Sequence, residues 1–479
     1  MNNSTEKNFI KHPLKLVSMV FVILLVLSFL PTETEIFGIQ LKPVDVISDF
    51  SAEEESEDYY DEENVDTENE EEEPKVNEAG FSLIPGISKL GSWFDNELDK
   101  LASANSIPAQ GKKVKISGNV NQMKHFFDAL KKSKSQKVRI AHYGDSAIEG
   151  DNISCELRDR LQKKFGGKGL GFLAITSQDV SFRQTVTHSF SDTWKNASIF
   201  TSNPKKLPVG INGEIFSPKS KSWIQYITRN KYRRVKNFNT VNLYYSNAKG
   251  KVDYSFDKKG KTSAQLESGK GIKELQLKAP RKAKQIKIDF PQKDMGFFYG
   301  VSLENGNGVY LDNFPLRGNS GVNLYDIKSS TLKEFSKFLD YKLVVLYFGL
   351  NIAGNNKKAN YTWYEKKMTK VINKFKKAFP ECSFLVVSVS DKSIKKGRKF
   401  VTNPSIPKLV KAQRNIAKKT NVAFWNLFEA MGGKNSMNKW VKSSPKLASS
   451  DYTHFTLAGS KKVASLLAEA LINCYEENK

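Results

Sequence analysis

Cysteine is scarce. The 479 residues include three, Cys155, Cys382 and Cys474, spread too widely for a disulfide framework or a zinc cluster. Cys155 and Cys474 fall on segments with amphipathic helical spacing, where a thiol behaves as a small buried apolar group. No internal repeat is visible. Charge is missing from Leu16 to Thr32, 17 residues within "LKLVSMVFVILLVLSFLPT". That gap is at the short limit for a membrane-spanning helix. Lys7, Lys11 and Lys15 precede it and acidic residues follow, an order that puts the N-terminus in the cytoplasm and the body outside. No small-x-small cleavage site follows Leu30 and no lipobox cysteine is present. An uncleaved anchor is therefore expected, with a cleaved signal peptide as the rival. Either way the body is exported, which argues against nucleic acid as a partner.

The formal net charge of +24 hides an asymmetry. Residues 45–78 hold 17 Asp and Glu and one Lys, leaving 74 Lys and Arg against 34 Asp and Glu elsewhere, or +40. A surface this basic suits an anionic partner, and outside the membrane that means an anionic glycan or a lipid head group. The acidic run is too poor in apolar residues to bury a core, so residues 33–109 are expected to form a disordered linker that holds the body off the membrane.

The body divides by texture. A helix at 119–133 and a strand at 137–143 lead into "GDS" (144–146). Ile153, Leu157 and Leu161 then recur at helical spacing. From 169 to 312 the period is two: Val252, Tyr254 and Phe256, then Ile286, Ile288 and Phe290, alternate with polar residues. This reads as an inserted antiparallel β-sandwich or jelly roll. After it, helices and apolar strands alternate. "KLVVLYFG" (342–349) and "SFLVVSVS" (383–390) read as strands buried on both faces. Tyr364, Met368, Val371, Phe375 and Phe379 share one helical face, as do Val463, Leu467, Leu471 and Cys474 on the last helix. The expected architecture is one α/β domain made of 110–168 and 313–479, with a parallel sheet wrapped by helices and interrupted by the β-rich insertion.

Ligands of such sheets sit at the carboxyl ends of the strands. Four features fall there or in late loops. Ser146 follows the first strand. "RGNSG" (317–321) leads out of the insertion. "GLN" (349–351) follows the second buried strand, and "DYTHFTLAG" (451–459) precedes the last helix. A serine hydroxyl needs a base to become a nucleophile, and His454 can be that base. Asp451, three residues earlier, can orient the imidazole. The N–H groups of Ser146 and Gly321 and the amide of Asn351 can form an oxyanion hole. Each piece alone has a bland reading: a turn, a surface histidine, a strand end.

Taken in order, Gly-Asp-Ser, a glycine block, Gly-x-Asn and Asp-x-x-His resemble the blocks of the GDSL/SGNH hydrolases. The long insertion between the serine and glycine blocks is similar to that of two-domain peptidoglycan O-acetylesterases. The resemblance implies a flavodoxin-like three-layer α/β/α sandwich. It also implies catalytic roles for Ser146, Asp451 and His454, and oxyanion roles for Ser146, Gly321 and Asn351. It further implies an envelope serine esterase that removes acetyl groups from a glycan without metal or organic cofactor, anchored in a bacterial inner membrane with its body in the periplasm. Ala147 stands where relatives often carry Leu or His, and Ile352 where many carry Asp, which weakens the subfamily assignment. Gly318 is a second glycine in its block. Gly321 is preferred because it follows Ser.

Two alternatives keep the chain in the envelope. One is an O-acyltransferase that passes an acyl group to a polysaccharide, beside a membrane acyltransferase partner. The other is a non-catalytic glycan-binding protein. His142 is expected as a packed strand residue rather than a second base, and His188 as a structural residue rather than a metal ligand. "MGGKNSMNKW" (431–440) is expected to cap the sheet, with a substrate-lining role as the alternative. Trp194, Trp223 and the insertion's tyrosines are expected in the core rather than on sugar rings.

Overall fold

The structure is a computed structural model that describes residues 111–479, apart from 182, 202, 204–205 and 355–358, together with the backbone of a short antiparallel pair, Glu35–Ile36 with Ile39–Gln40. That pair falls within 33–109, where no regular structure is expected from composition. The segment 16–32 lies outside the described residues. Among those described, no helix is long and apolar enough to cross a membrane.

The α/β domain is built on a six-stranded sheet. Its order is Gly308–Pro315, Lys137–Gly144, Tyr341–Tyr347, Ser383–Val387, Ala423–Trp425 and Ser117–Gly118. The first five strands are parallel, and the short Ser117–Gly118 edge is antiparallel. Taken in chain order, the five parallel strands run 2-1-3-4-5, the flavodoxin-like arrangement. Its topological switch point lies between the first strand, Lys137–Gly144, and the third, Tyr341–Tyr347.

Alternation along the strands decides the layers. Val138 and Ile140 face one side, with Val309, Leu311, Leu343, Val345 and Leu385. They pack against Phe126 and Phe127 of helix Lys124–Lys131, Ile153, Leu157 and Leu161 of Asn152–Phe165, and Val463, Leu467 and Leu471 of Leu457–Glu477. Ala141, Tyr143, Val344, Leu346 and Val386 face the other side. There they meet Leu332 and Phe335 of Ser329–Leu339, Met368, Val371 and Phe375 of Thr362–Ala378, and Leu409 and Ile416 of Ser405–Thr420. The five parallel strands are thus covered on both faces.

The insertion is a sandwich of two antiparallel sheets. One joins Lys273–Ala283, Phe238–Ser246, Phe297–Glu304, Glu214–Pro218 and Trp194–Ser198, with Gly169–Leu173 paired to Phe297–Glu304. The other joins Lys259–Gln265, Lys251–Phe256, Gln285–Phe290, Ser222–Thr228 and Val186–Phe190. Val241, Leu243, Ile286, Ile288 and Val301 fill the space between them. The opposite face of the first sheet, through Tyr244, Tyr299 and Phe172, packs into the core of the α/β domain.

Three sequence expectations shift. The insertion ends before Gly308, not at 312, because Gly308–Pro315 pairs in parallel with Lys137–Gly144 over its whole length. Its polar residues disguised it. Asp312 is fully buried and accepts from Tyr341 Oη at 2.6 Å and from the Phe172 N–H at 2.8 Å. Asn313 accepts from Ser154 Oγ at 2.8 Å. Arg139 on the first strand completes the join, pairing with Glu304 of the sandwich and with Asp312 at 3.3 Å. Buried charges persist only when paired in this way. The helix after Ser146 also starts late. A 3₁₀ turn spans Ser146–Asp151, Gly150 and Asp151 take positive φ, and the α-helix begins at Asn152. Likewise 119–133 divides into a 3₁₀ turn, Val120–Met123, and helix Lys124–Lys131.

Candidate active site

Strand Lys137–Gly144 ends at the switch point, and the chain turns sharply there. Asp145 caps the following turn by accepting the Ala147 N–H at 3.0 Å, which leaves Ser146 half-buried at the rim. Burial pushes the Asp145 carboxyl up to about 6, against the opposing pull of the Ala147 N–H, His454 and the N–H groups of Leu350 and Gly349. This residue therefore ties the serine turn to the loop that carries Asn351.

The Asp-x-x-His loop is fixed on both sides. Ala448 bridges Phe455, and Thr456 caps helix Leu457–Glu477 through the Gly459 N–H at 3.1 Å. Asp451 Oδ1 accepts the N–H groups of Thr453 and His454 at 2.9 and 3.0 Å, and its Oδ2 lies 2.6 Å from His454 Nδ1. Burial would raise the Asp451 carboxyl, but the bonds from His454 and from the two N–H groups outweigh it and hold the group below its ordinary value. His454 Nε2 lies 3.3 Å from Ser146 Oγ. Ser146, His454 and Asp451 thus form a continuous relay, with His454 and Asp451 open to water. A hydroxyl, an imidazole and an oriented carboxylate in this order can carry nucleophilic catalysis.

The candidate oxyanion donors lie on the loops after the two neighbouring strands. Gly321 has φ +88°, and a Cβ there would meet the Phe348 ring at 2.7 Å, so only glycine fits. Its N–H donates to Asn319 Oδ1, while Asn351 Nδ2 donates to the Asn319 carbonyl at 3.0 Å. Asn319, buried between them, holds both donors and was not singled out from sequence although it stands within "RGNSG". In this resting arrangement a substrate oxyanion competes with Asn319 for the Gly321 N–H. Asn351 keeps a second amide hydrogen free of that bond.

A cleft of about 400 Å³ opens between the insertion and the carboxyl end of strand Gly308–Pro315, lined in part by Gly150, Phe172, Arg183, Asn196, Glu214 and Arg317. Glu149, three residues after Ser146, is in its wall and is paired with Arg317 at 2.6 Å. Arg183 Nε and Asn212 Oδ1, both of cleft residues, are buried without a hydrogen-bond partner among the described residues. Burial pushes Glu214 up to about 7, opposed by the Asn212 amide at 3.1 Å. Sequence reasoning found none of these three, because residues of a two-sheet insertion show no spacing that marks a cleft.

The remaining candidates are structural. His142 is buried with Nδ1 2.9 Å from Ser154 Oγ, and burial lowers it to about 4. His188 is buried against Ser177 and the Ile175 carbonyl and is lowered to about 3 by burial. Among the described residues no group of three or more His, Cys, Asp or Glu side chains is placed to hold a metal. All three cysteines are buried; burial pushes the Cys155 thiol up to about 12 and Cys474 to about 11, so neither offers a thiolate near neutral pH. Met431, Met437 and Trp440 are buried in the core on the side of the sheet that carries the first and last helices, and Trp194 is buried in the insertion.

The chain is thus a three-layer, flavodoxin-like α/β sandwich with a Ser-His-Asp arrangement at its switch point. No family model and no curated protein matches the chain. Among solved structures, a peptidoglycan O-acetylesterase superposes with a TM-score of 0.62 at 20% identity, covering 76% of this chain and all of that one. An acetyl xylan esterase matches at 21% identity over 34% of this chain and 81% of its own, with a TM-score of 0.27. A lipase/acylhydrolase from Enterococcus faecalis matches at 17% identity over 35% and 77%, with a TM-score of 0.25. The first of these likenesses shows that the chain shares its fold with that solved structure.

Proposed function

We propose that this chain is a serine carboxylic ester hydrolase that removes O-acetyl groups from a cell-envelope glycan, with peptidoglycan the foremost candidate. The observation that carries the reading is the Ser146–His454–Asp451 relay, at 3.3 and 2.6 Å, at the switch point of the sheet. Ser146 Oγ attacks the acetyl carbonyl as His454 Nε2 takes its proton. The tetrahedral oxyanion is held by the Ser146 and Gly321 N–H groups and the Asn351 amide. The carbonyl carbon–sugar oxygen bond then breaks, and His454 returns the proton to the leaving hydroxyl. Water, deprotonated by the same imidazole, releases acetate from Ser146. The exposed His454 favours water as the acceptor over a second sugar, and so hydrolysis over transfer.

Substrate class rests on three supports. They are the likeness in fold to a solved peptidoglycan O-acetylesterase, the inserted sandwich beside the site, and a body charge suited to an acidic polymer. The segment 16–32 serves in this reading as the membrane anchor, and 33–109 as the spacer that lets the site reach the wall. The test is acetate release from O-acetylated peptidoglycan by wild type and Ser146→Ala. A loss of about a thousandfold or more is expected. Release at the wild-type rate by the variant, or none by the wild type, refutes the reading.

A further inference from the structure

Between strand Ser383–Val387 and helix Ser405–Thr420 the chain leaves the α/β alternation to form a small hairpin, Ser393–Lys396 with Lys399–Thr402, turning at Gly397 and Arg398. It springs from the carboxyl end of its strand, the same edge of the sheet as Ser146. From Lys392 to Thr402 there are five cations, Lys392, Lys395, Lys396, Arg398 and Lys399, and no Asp or Glu. Residues 395–399 are all exposed. None of the five is in an ion pair among the described residues, although most other charged elements of the body carry one. Five uncompensated charges on one short element repel each other, a cost that an anionic ligand relieves.

The foot of the hairpin stands on the catalytic loop. The Phe400 ring lies flat on the Tyr452 ring, with centroids 3.6 Å apart and planes within 6°. The Ser393 N–H donates to the Tyr452 carbonyl at 3.0 Å. Tyr452 lies between Asp451 and His454 and has φ +54°, a left-handed backbone that a tyrosine adopts only when its surroundings impose it. The other foot is held by Thr402 and Asn435, which exchange bonds at 3.0 and 2.6 Å. The hairpin is therefore both a charged arm and the clamp on the turn that sets His454.

We propose that this hairpin docks an anionic polysaccharide strand across the edge of the sheet, and that its stacking on Tyr452 makes Phe400 a positioning residue for His454. The partner is a carboxylate-bearing glycan, because the arm offers cations in a row at the rim where a polymeric ester must lie to reach Ser146. The inference rests on the esterase reading and names its substrate class.

The test uses Lys395→Gln, Lys396→Gln, Arg398→Gln and Lys399→Gln combined, with all four changes at exposed positions. Three probes are compared: an activated small acetyl ester, acetylated polygalacturonate and acetylated xylan, the last a neutral polymer. The ratio of kcat/KM on the acidic polymer to that on the small ester is expected to fall about tenfold, through KM, and its salt dependence to flatten. The ratio for xylan is expected to hold. Equal losses on both polymers, or no loss on the acidic one, overturn the docking. Sedimentation of Ser146→Ala protein with polygalacturonate, with and without the four changes, reads docking even if no ester is turned over, so failure of the esterase reading is distinguishable. Phe400→Ala is expected to lower kcat about tenfold on all substrates, and Phe400→Tyr to restore it. An unchanged kcat in Phe400→Ala overturns the positioning role.

Discussion

Two glycines three positions apart allow the proposed oxyanion site to be tested against its own control. Gly318 and Gly321 both have left-handed backbones, with φ +78° and +88°. They differ in what a methyl group would touch. At Gly318 a Cβ meets nothing within 4 Å, whereas at Gly321 it meets Phe348 Cδ2 at 2.7 Å and Cγ at 3.0 Å. Phe348 is buried just after the strand whose loop carries Asn351, so its ring has nowhere to retreat. Alanine at either position carries the left-handed backbone cost, about 1–2 kcal/mol. At 321 the collision adds to it, and relief requires the Gly321 N–H to move out of the site. Gly318→Ala is expected to lower the melting temperature by several degrees with kcat within about twofold of wild type. Gly321→Ala is expected to lose about 10²–10³ in kcat, the worth of one preorganised oxyanion donor, or about 3–4 kcal/mol of transition-state stabilisation. Hydrolysis of an activated acetyl ester measures kcat, and calorimetry the melting temperature. If both variants lose equal stability and keep kcat, Gly321 is a turn residue and the oxyanion assignment is wrong.

Two further outcomes are expected. Asp451→Asn keeps the size of the side chain but loses the charge that faces His454 Nδ1 at 2.6 Å, so kcat is expected to fall about 10³–10⁴-fold with KM little altered; a drop under tenfold in steady-state kinetics would assign the loop a structural role. Glu214 has a folded value near 7 against an ordinary 4.5, so it favours the neutral carboxyl. Its contribution is full below pH 4.5 and is lost as pH rises through 7. The ceiling is about 3 kcal/mol, and about 1–2 kcal/mol is expected because the cleft admits water. Glu214→Gln is expected to flatten the fall in melting temperature between pH 5 and pH 8, and identical slopes in variant and wild type would remove Glu214 as its cause.

The parallel strands were legible because burial on both faces leaves a run such as "KLVVLYF" that few other elements produce. The helices were legible because each buries one stripe; every residue of the Tyr364 and Val463 stripes is in the core. Gly308–Pro315 was not, since Asp312 and Asn313 are polar residues inside a central sheet. Their partners, Arg139, Tyr341 and Ser154, come from elements far along the chain, and pairing across such separations leaves no local spacing to read. The late start of the helix after Ser146 has the same character. Gly150 and Asp151 break the helix through positive φ, and Arg158, about two turns further on, holds Asp151 at 2.9 Å.

The site was legible to a different degree on each side of the reaction. The relay residues are chemical types whose order along the chain is informative, and the structure brings Ser146, His454 and Asp451 within bonding reach. The groups that hold them are generic by type. Asn319 looks like any loop asparagine, yet it receives the Gly321 N–H and the Asn351 amide, and so sets the spacing of the two proposed oxyanion donors. Asp145 looks like the ordinary second letter of a turn, yet its buried carboxyl joins the serine loop to the Gly349–Leu350 backbone. Phe400 looks like a strand aromatic, yet its ring is the floor under Tyr452. All three touch a neighbouring loop of the site. Such roles depend on which loops converge at the sheet edge, and convergence is a property of the topology. A sequence scan for reactive side chains therefore finds the proposed relay and misses the residues packed around it.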